Sequence, residues 1–204
     1  MLKIDYQQKL TEILKEIEQF NRVPSLLIHA CCAPCSSYVI QYLSNHFDIT
    51  LYYYNPNIFP HDEYSRRLNE LKTFLQELPT KNPIKFIEKS YQPDDYYNVI
   101  NELSHLGERS KRCYECYKLR MEHAAYVAKE NDFDFFTTTL SISPHKVSNW
   151  INEIGDNLQT EYSIRYLFAD FKKNNGYLKS LELSQEYNLY RQDYCGCEFS
   201  KEKK

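Results

Sequence analysis

The sequence predicts one α/β domain. Its centre is a mostly parallel, Rossmann-like (HUP-like) sheet flanked by helices, with cysteine clusters at the carboxyl ends of strands. Three observations lead there. Short runs of β-branched and aromatic residues alternate with helical stretches of ten or more residues, the pattern of parallel β-α-β units. The 204 residues contain no internal repeat and no linker-like composition. Hydrophobic residues make up 42% and aromatics 15%, enough for a packed core, while four glycines and eight prolines exclude repetitive architectures. The expected organisation is an N-terminal amphipathic helix over 1–24, the α/β domain over 25–199 and a frayed tail over 200–204.

Each element has its own signal. Leu10, Ile13, Leu14, Ile17 and Phe20 recur at helical spacing, and Pro24 is expected to end that helix. Ser25 to Ala30 reads as a buried strand opening into the first cysteine group, followed by a helix from Ser36 to Leu43. Ile49 to Tyr54, rich in β-formers, reads as the second strand. Pro56 and Pro60 frame a loop, and Asp62 is the expected cap of a helix reaching about Glu77. A third strand is expected over Ile84 to Ile87 and a helix over Pro93 to Leu103. A charged loop, Gly107 to Arg112, leads to a long helix from Cys113 to Glu130, with Leu119, Ala124, Val127 and Ala128 on its apolar side. A fourth strand over Phe133 to Thr138, a helix over Lys146 to Leu158 and a last helix over Leu181 to Tyr187 complete the order. Right-handed crossovers then place Cys31 to Cys35 and Thr139 to His145 at the carboxyl edge of the sheet, where ligands bind in such folds.

Composition narrows the function. No apolar run approaches the ~20 residues of a membrane span, and the charged N-terminus has no signal-peptide core, so a cytoplasmic protein without a membrane partner is expected. The net charge of −3 gives no general attraction to nucleic acid, although a local basic face would suffice. Nineteen tyrosines could fill a core or stack on bases.

The seven cysteines fall in three groups: Cys31, Cys32 and Cys35; Cys113 and Cys116; Cys195 and Cys197. An odd count without a secretion signal argues for metal binding or redox chemistry rather than a disulfide framework. The first group sits between a strand and a helix, where a helix N-terminus lowers a thiol pKa. With Cys113 and Cys116 it offers the four thiolates of a 4Fe-4S cluster; a zinc site of four cysteines is the rival. Cys195-Gly196-Cys197 has too short a spacing for the usual zinc knuckle. It suits a strained, reducible disulfide, a second metal or two free thiols.

The motifs His29-Ala30-Cys31-Cys32-Ala33-Pro34-Cys35, Tyr54-Asn55-Pro56-Asn57-Ile58, Arg112-Cys113-Tyr114-Glu115-Cys116-Tyr117, Thr138-Thr139-Leu140-Ser141-Ile142-Ser143-Pro144-His145-Lys146, Asp170-Phe171-Lys172-Lys173 and Asp193-Tyr194-Cys195-Gly196-Cys197 occur in this order. Together they resemble the cobalamin-independent epoxyqueuosine reductase family, from about residue 25 to residue 199. The resemblance implies an oxidoreductase of tRNA modification, which reduces epoxyqueuosine at the wobble position to queuosine and draws on a low-potential electron donor. It implies a 4Fe-4S cluster on Cys31, Cys32, Cys113 and Cys116, and a redox-active pair in Cys195 and Cys197. It also implies an additional iron, for which Cys35 and Asp193 are the candidate ligands, and no cobalamin.

Removing an epoxide oxygen needs a proton donor, and Asp170, His145 and Tyr54 are candidates by their position near strand ends. His29, closing an apolar strand, reads as a core histidine. Arg109, Lys111, Arg112, Lys118 and Arg120 surround the second cysteine pair, and Lys172, Lys173 and Lys179 form another basic group; both could meet tRNA phosphates. Tyr114, Tyr117, Tyr190 and Tyr194 flank cysteines and could stack bases, or pack in the interior. A tRNA sulfur-transfer enzyme would need a glycine-rich phosphate loop after the first strand. That position reads Cys-Cys-Ala-Pro-Cys, so no ATP is expected. A zinc-stabilised RNA-binding module and a thioredoxin-like oxidoreductase using Cys32 and Cys35 are the remaining alternatives.

Overall fold

The computed structural model describes residues 4–201. The chain runs α1 (Tyr6–Ile17), β1 (Ser25–Ala30), α2 (Ala33–Leu43), β2 (Asp48–Tyr53), α3 (His61–Glu77), β3 (Lys85–Glu88), α4 (Pro93–Ile100), α5 (Lys111–Glu130), β4 (Phe135–Thr138), α6 (Ser148–Tyr162), β5 (Arg165–Tyr166) and α7 (Gly176–Glu186). The five strands form one sheet in the order β3-β2-β1-β4-β5, and every pairing is parallel. Strand order reverses at β1, which lies between β2 and β4. A crevice therefore opens beyond the carboxyl ends of β1 and β4.

The central strand is apolar because both of its faces are covered. Leu26 and Ile28 face one core cluster with Val39, Leu43 and Phe47, whereas Leu27 faces a second with Met121, Ala124 and Ile151. Parallel sheets require this continuous burial. Ala124 and Ala128 let α5 approach the sheet closely, as the sequence predicts; Leu119 and Val127 are only half-buried.

Several boundaries differ from expectation. Helix α1 ends at Ile17, well before Pro24, and Phe20 lies beyond it, 36% exposed. Asp5 caps this helix, accepting from the N–H groups of Gln7 and Gln8. Asp62 is not a cap: Pro60 occupies that position and Asp62 lies in the first turn. Helix α2 begins at Ala33, three residues early, because Pro34 suits a first helical turn. Lys111 and Arg112 open α5 rather than closing a loop. Strand β5, two residues long, is too short to carry a sequence signal. Ser200 is not part of a frayed tail: it is buried in a turn over Glu198–Ser200, whereas residues 202–204 lie outside the described residues.

Candidate active site at the carboxyl edge of the sheet

Strand β1 ends at Ala30, and Cys31 projects directly beyond it. Cys32 is the extended N-cap residue of α2 and Cys35 lies in the first turn. One sulfur from each of Cys31, Cys32 and Cys35 lies within 4.8 Å of the others, a spacing that fits a metal ion. The Cys31 sulfur also lies 3.8 Å from Thr139 Oγ1, just past the end of β4. The first cysteine group therefore sits at the switch point of the sheet.

The second and third groups meet beside it. Cys113 and Cys116 lie one turn apart near the start of α5 and share a face. Cys195 and Cys197 arrive from the C-terminal loop. All four line a cavity of about 30 Å³ together with Tyr96 and Arg120. A wider cleft of about 940 Å³ adjoins it, with Cys35, His145, Lys146, Gln192, Asp193 and Cys195 on its walls. All seven cysteines are free thiols, so Cys195 and Cys197 form no disulfide here.

Hydrogen bonding sets the thiols against one another. The thiols of Cys32 and Cys35 hold the Cys31 pKa well below an ordinary thiol, with Lys146 and Arg120 adding to the effect. Burial pushes Cys32 up to about 12. Hydrogen bonding from Cys197 likewise lowers Cys195, helped by Lys146 and Ser200, and the same bond raises Cys197. The first and third groups thus each contain one thiol whose pKa is lowered, whereas burial raises Cys116 in the second. Both sulfurs face Lys146, whose own pKa burial would lower; the Cys31 and Cys195 thiolates more than offset this and raise it.

The loop that carries the third group is held from several sides. Gly196 adopts φ +109°, a left-handed conformation, and its carbonyl accepts from Phe59 N–H at 2.8 Å. Arg67, ion-paired to Glu63 at 2.6 Å, donates to the carbonyls of Tyr194 and Cys195 at 3.4 and 3.3 Å. Tyr96 hydroxyl lies 3.0 Å from the Cys197 sulfur, and Ser200 hydroxyl 3.0 Å from the Cys195 sulfur. Gln192 Nε2 lies 3.1 Å from the Cys32 sulfur and links the C-terminal loop to the first group. Gln192 and Ser200 flank the Cys-Gly-Cys motif and could have been suspected from proximity. Arg67 and Tyr96 are remote in sequence, and no local pattern marks them.

Other expected site residues divide sharply. His145 is exposed and lines both the cavity and the cleft; Arg109 donates to its carbonyl. Asp193 lies on the cleft wall, exposed. Tyr54 is a correction: it is 2% exposed, donates to Asp95 at 2.7 Å and packs beside His123, outside both spaces. Asp170 pairs with Lys172 at 2.8 Å and accepts from Ser148, also away from the cleft.

Arg112, Arg120 and Tyr117 are buried and line the inner cavity rather than an open surface. Arg112 donates to the carbonyls of Ser104 and Leu106. Tyr114 packs edge-on against Trp150. Lys111, Lys118 and Lys173 are exposed. His29 is fully buried, with Nε2–H donating to Tyr54 carbonyl and Nδ1 accepting from Thr138 hydroxyl. Burial, then the charge of Arg120, lowers its pKa to about 3, so it stays neutral as a core histidine.

Fold and site together define a class: a doubly wound α/β protein whose switch-point crevice presents soft sulfur donors where nucleotide-binding proteins of this fold class carry a glycine-rich loop. Comparison with known proteins identifies the family within that class. The family model described as "Epoxyqueuosine reductase QueH" matches residues 26–203. The protein of that name from Streptococcus pyogenes serotype M1 is 42% identical over 97% of this chain and 78% of its own length. The Staphylococcus epidermidis protein is 38% identical over 97% of this chain and 85% of its own length. The Thermotoga maritima protein is 33% identical over 86% and 90%. The chain belongs to the epoxyqueuosine reductase QueH family.

Proposed function

We propose that this chain reduces the epoxide of epoxyqueuosine, carried at the wobble position of a tRNA, to the alkene of queuosine. The observation that carries the reading is convergence: three cysteine groups from distant parts of the chain meet at one crevice, and the family match spans them all. Net, the reaction consumes two electrons and two protons and releases the oxygen as water.

The donor set fits a thiolate-bound metal centre. Three sulfurs are already within ligating distance of one another, four more surround the adjoining cavity, and the lining cations compensate thiolate charge. Cys31, Cys32, Cys113 and Cys116 would hold a 4Fe-4S cluster, and Cys35 with Asp193 an additional iron. When bound, such a cluster supplies electrons one at a time. As a dithiol, Cys195 and Cys197 can give up two electrons and two protons in closing one S–S bond, which balances removal of the epoxide oxygen. A low-potential donor then restores the thiols.

Other residues position and protonate. Arg67, Tyr96 and Ser200 hold the dithiol loop in register with the first cysteine group. His145, on the cleft wall, would give a proton to the departing oxygen. Exposed Arg109, Lys111, Lys118 and Lys173 are placed to attract tRNA phosphates, and the target base must leave the anticodon stack to reach the thiols.

Anaerobic purification, with iron, sulfide and zinc analysis followed by an assay on epoxyqueuosine-containing tRNA, tests the proposal. Brown protein that bleaches on reduction and forms queuosine is the expected result. Colourless protein with stoichiometric zinc and no turnover would replace it with the zinc-stabilised RNA-binding reading.

A further inference from the structure

The cavity shared by the thiols contains a cation with no anion of its own. Arg120 is 2% exposed and sits in the third turn of α5. Its Nε donates to Cys116 carbonyl at 3.1 Å and its Nη1 to Asn55 Oδ1 at 3.5 Å, both neutral acceptors. Among the described residues no carboxylate lies within ion-pairing distance of it. Arg67 provides the contrast: it is equally buried, at 1% exposed, but rests on Glu63 at 2.6 Å.

An unpaired buried guanidinium is costly, and removing the charge in favour of an apolar side chain is often stabilising. Arg120 shares the cavity wall with Cys113, Cys116, Cys195 and Cys197 and lies 5.9 Å from the centre of the Tyr117 ring; its charge acts on Cys116, Cys31 and Cys195, one member of each cysteine group. Two other cations of the cavity have separate outlets: Arg112 donates to loop carbonyls, and Arg109 is exposed and bonded to the carbonyls of Pro144 and His145. Lys146, half-buried on the cavity wall, joins Arg120 in facing Cys31 and Cys195. Among the described residues Glu108 is the only carboxylate lining the cavity.

We propose that Arg120 is the fixed counter-charge of the thiolate-held centre, retained at a cost to the metal-free fold because it neutralises the occupied one. A buried positive charge beside a thiolate-bound metal stabilises the more negative, reduced state and so raises the reduction potential. The redox consequence rests on the iron–sulfur reading above; the counter-charge itself requires only a metal held by thiolates.

The test uses anaerobically purified wild type, Arg120→Met and Arg120→Lys, each also after stripping with a chelator. Methionine approximates the length of the arginine stem without its charge. Three quantities are read: the midpoint potential of the bound centre, the rate of metal transfer to the chelator, and the Tm of the stripped protein. In Arg120→Met the potential should move to more negative values and metal loss should accelerate about 10-fold or more. Its stripped form should melt at or above the wild type, and Arg120→Lys should recover most of the potential. An unchanged potential and release rate in Arg120→Met would overturn the proposal. So would a stripped Arg120→Met that melts well below wild type with no rescue by lysine, which marks a packing role. Wild type that holds zinc without iron sinks the iron–sulfur reading alone, and the release rates and melting then decide for or against Arg120.

Discussion

Gly196 lies in a turn that a larger residue fits poorly. Its φ of +109° disfavours any side chain, and a Cβ would come 3.0 Å from Ile58 Cγ1 and 3.1 Å from Arg67 Nη1. Gly196→Ala should therefore destabilise the loop by roughly 1–3 kcal/mol and speed alkylation of Cys195, measured by urea unfolding and by thiol-labelling kinetics. The cysteines should separate by role. Cys113→Ala should lose the visible absorption of the centre. Cys195→Ser should keep it while turnover falls by two orders of magnitude or about that much, checked by spectra and single-turnover assays on tRNA. All seven cysteines were legible as three groups because reactive thiols rarely cluster without cause. Tyr54 was misplaced because a position at a strand end leaves side-chain direction open; here the phenol turns to Asp95. Arg112 and Arg120 were read as surface charges because sequence neighbourhood is blind to burial.

Among the elements, α1 has a larger role than its place at the chain's edge suggests. Leu10, Leu14 and Ile17 lie in the same core cluster as β1 and α2. Leu10→Ala should cost about 2–5 kcal/mol in urea unfolding, as for other fully buried leucines. Where β1 and β4 begin, Asp134 accepts from the N–H and hydroxyl of Ser25 and pairs with Arg22. Its hydrogen bond with Arg22, helped by those from Ser25, lowers its pKa to about 2. The unfolded chain binds this proton near pH 4, so the carboxylate's contribution is complete above that pH and is lost as pH falls toward 2. Wild type should exceed Asp134→Asn in stability at pH 7, and the gap should close between about pH 4 and pH 2 in denaturant titrations. The strand-and-helix order was legible because hydrophobic runs and helical periodicity are local. The end of α1 and the cap of α3 were not, since they depend on which backbone groups find partners nearby.

At the scale of the whole molecule, the fold brings three cysteine groups and several cations together at one crevice. Binding of a metal should therefore couple to folding. The loaded protein should melt about 5–10 °C above the chelator-stripped protein at saturating metal, read by differential scanning calorimetry under anaerobic conditions. Among the described residues no helix is long and apolar enough to cross a membrane.

The sequence by itself determined the parallel α/β class, the approximate elements and the three cysteine groups, because each is written in residues close together along the chain. Tertiary structure alone decided how those groups meet. It carried Cys195 and Cys197 to Cys113 and Cys116. It also placed Arg67, Tyr96 and Arg120 against them. The reason is physical: strand reversal at β1 opens one crevice in the sheet, and only packing of distant helices and the C-terminal loop determines which side chains fill it.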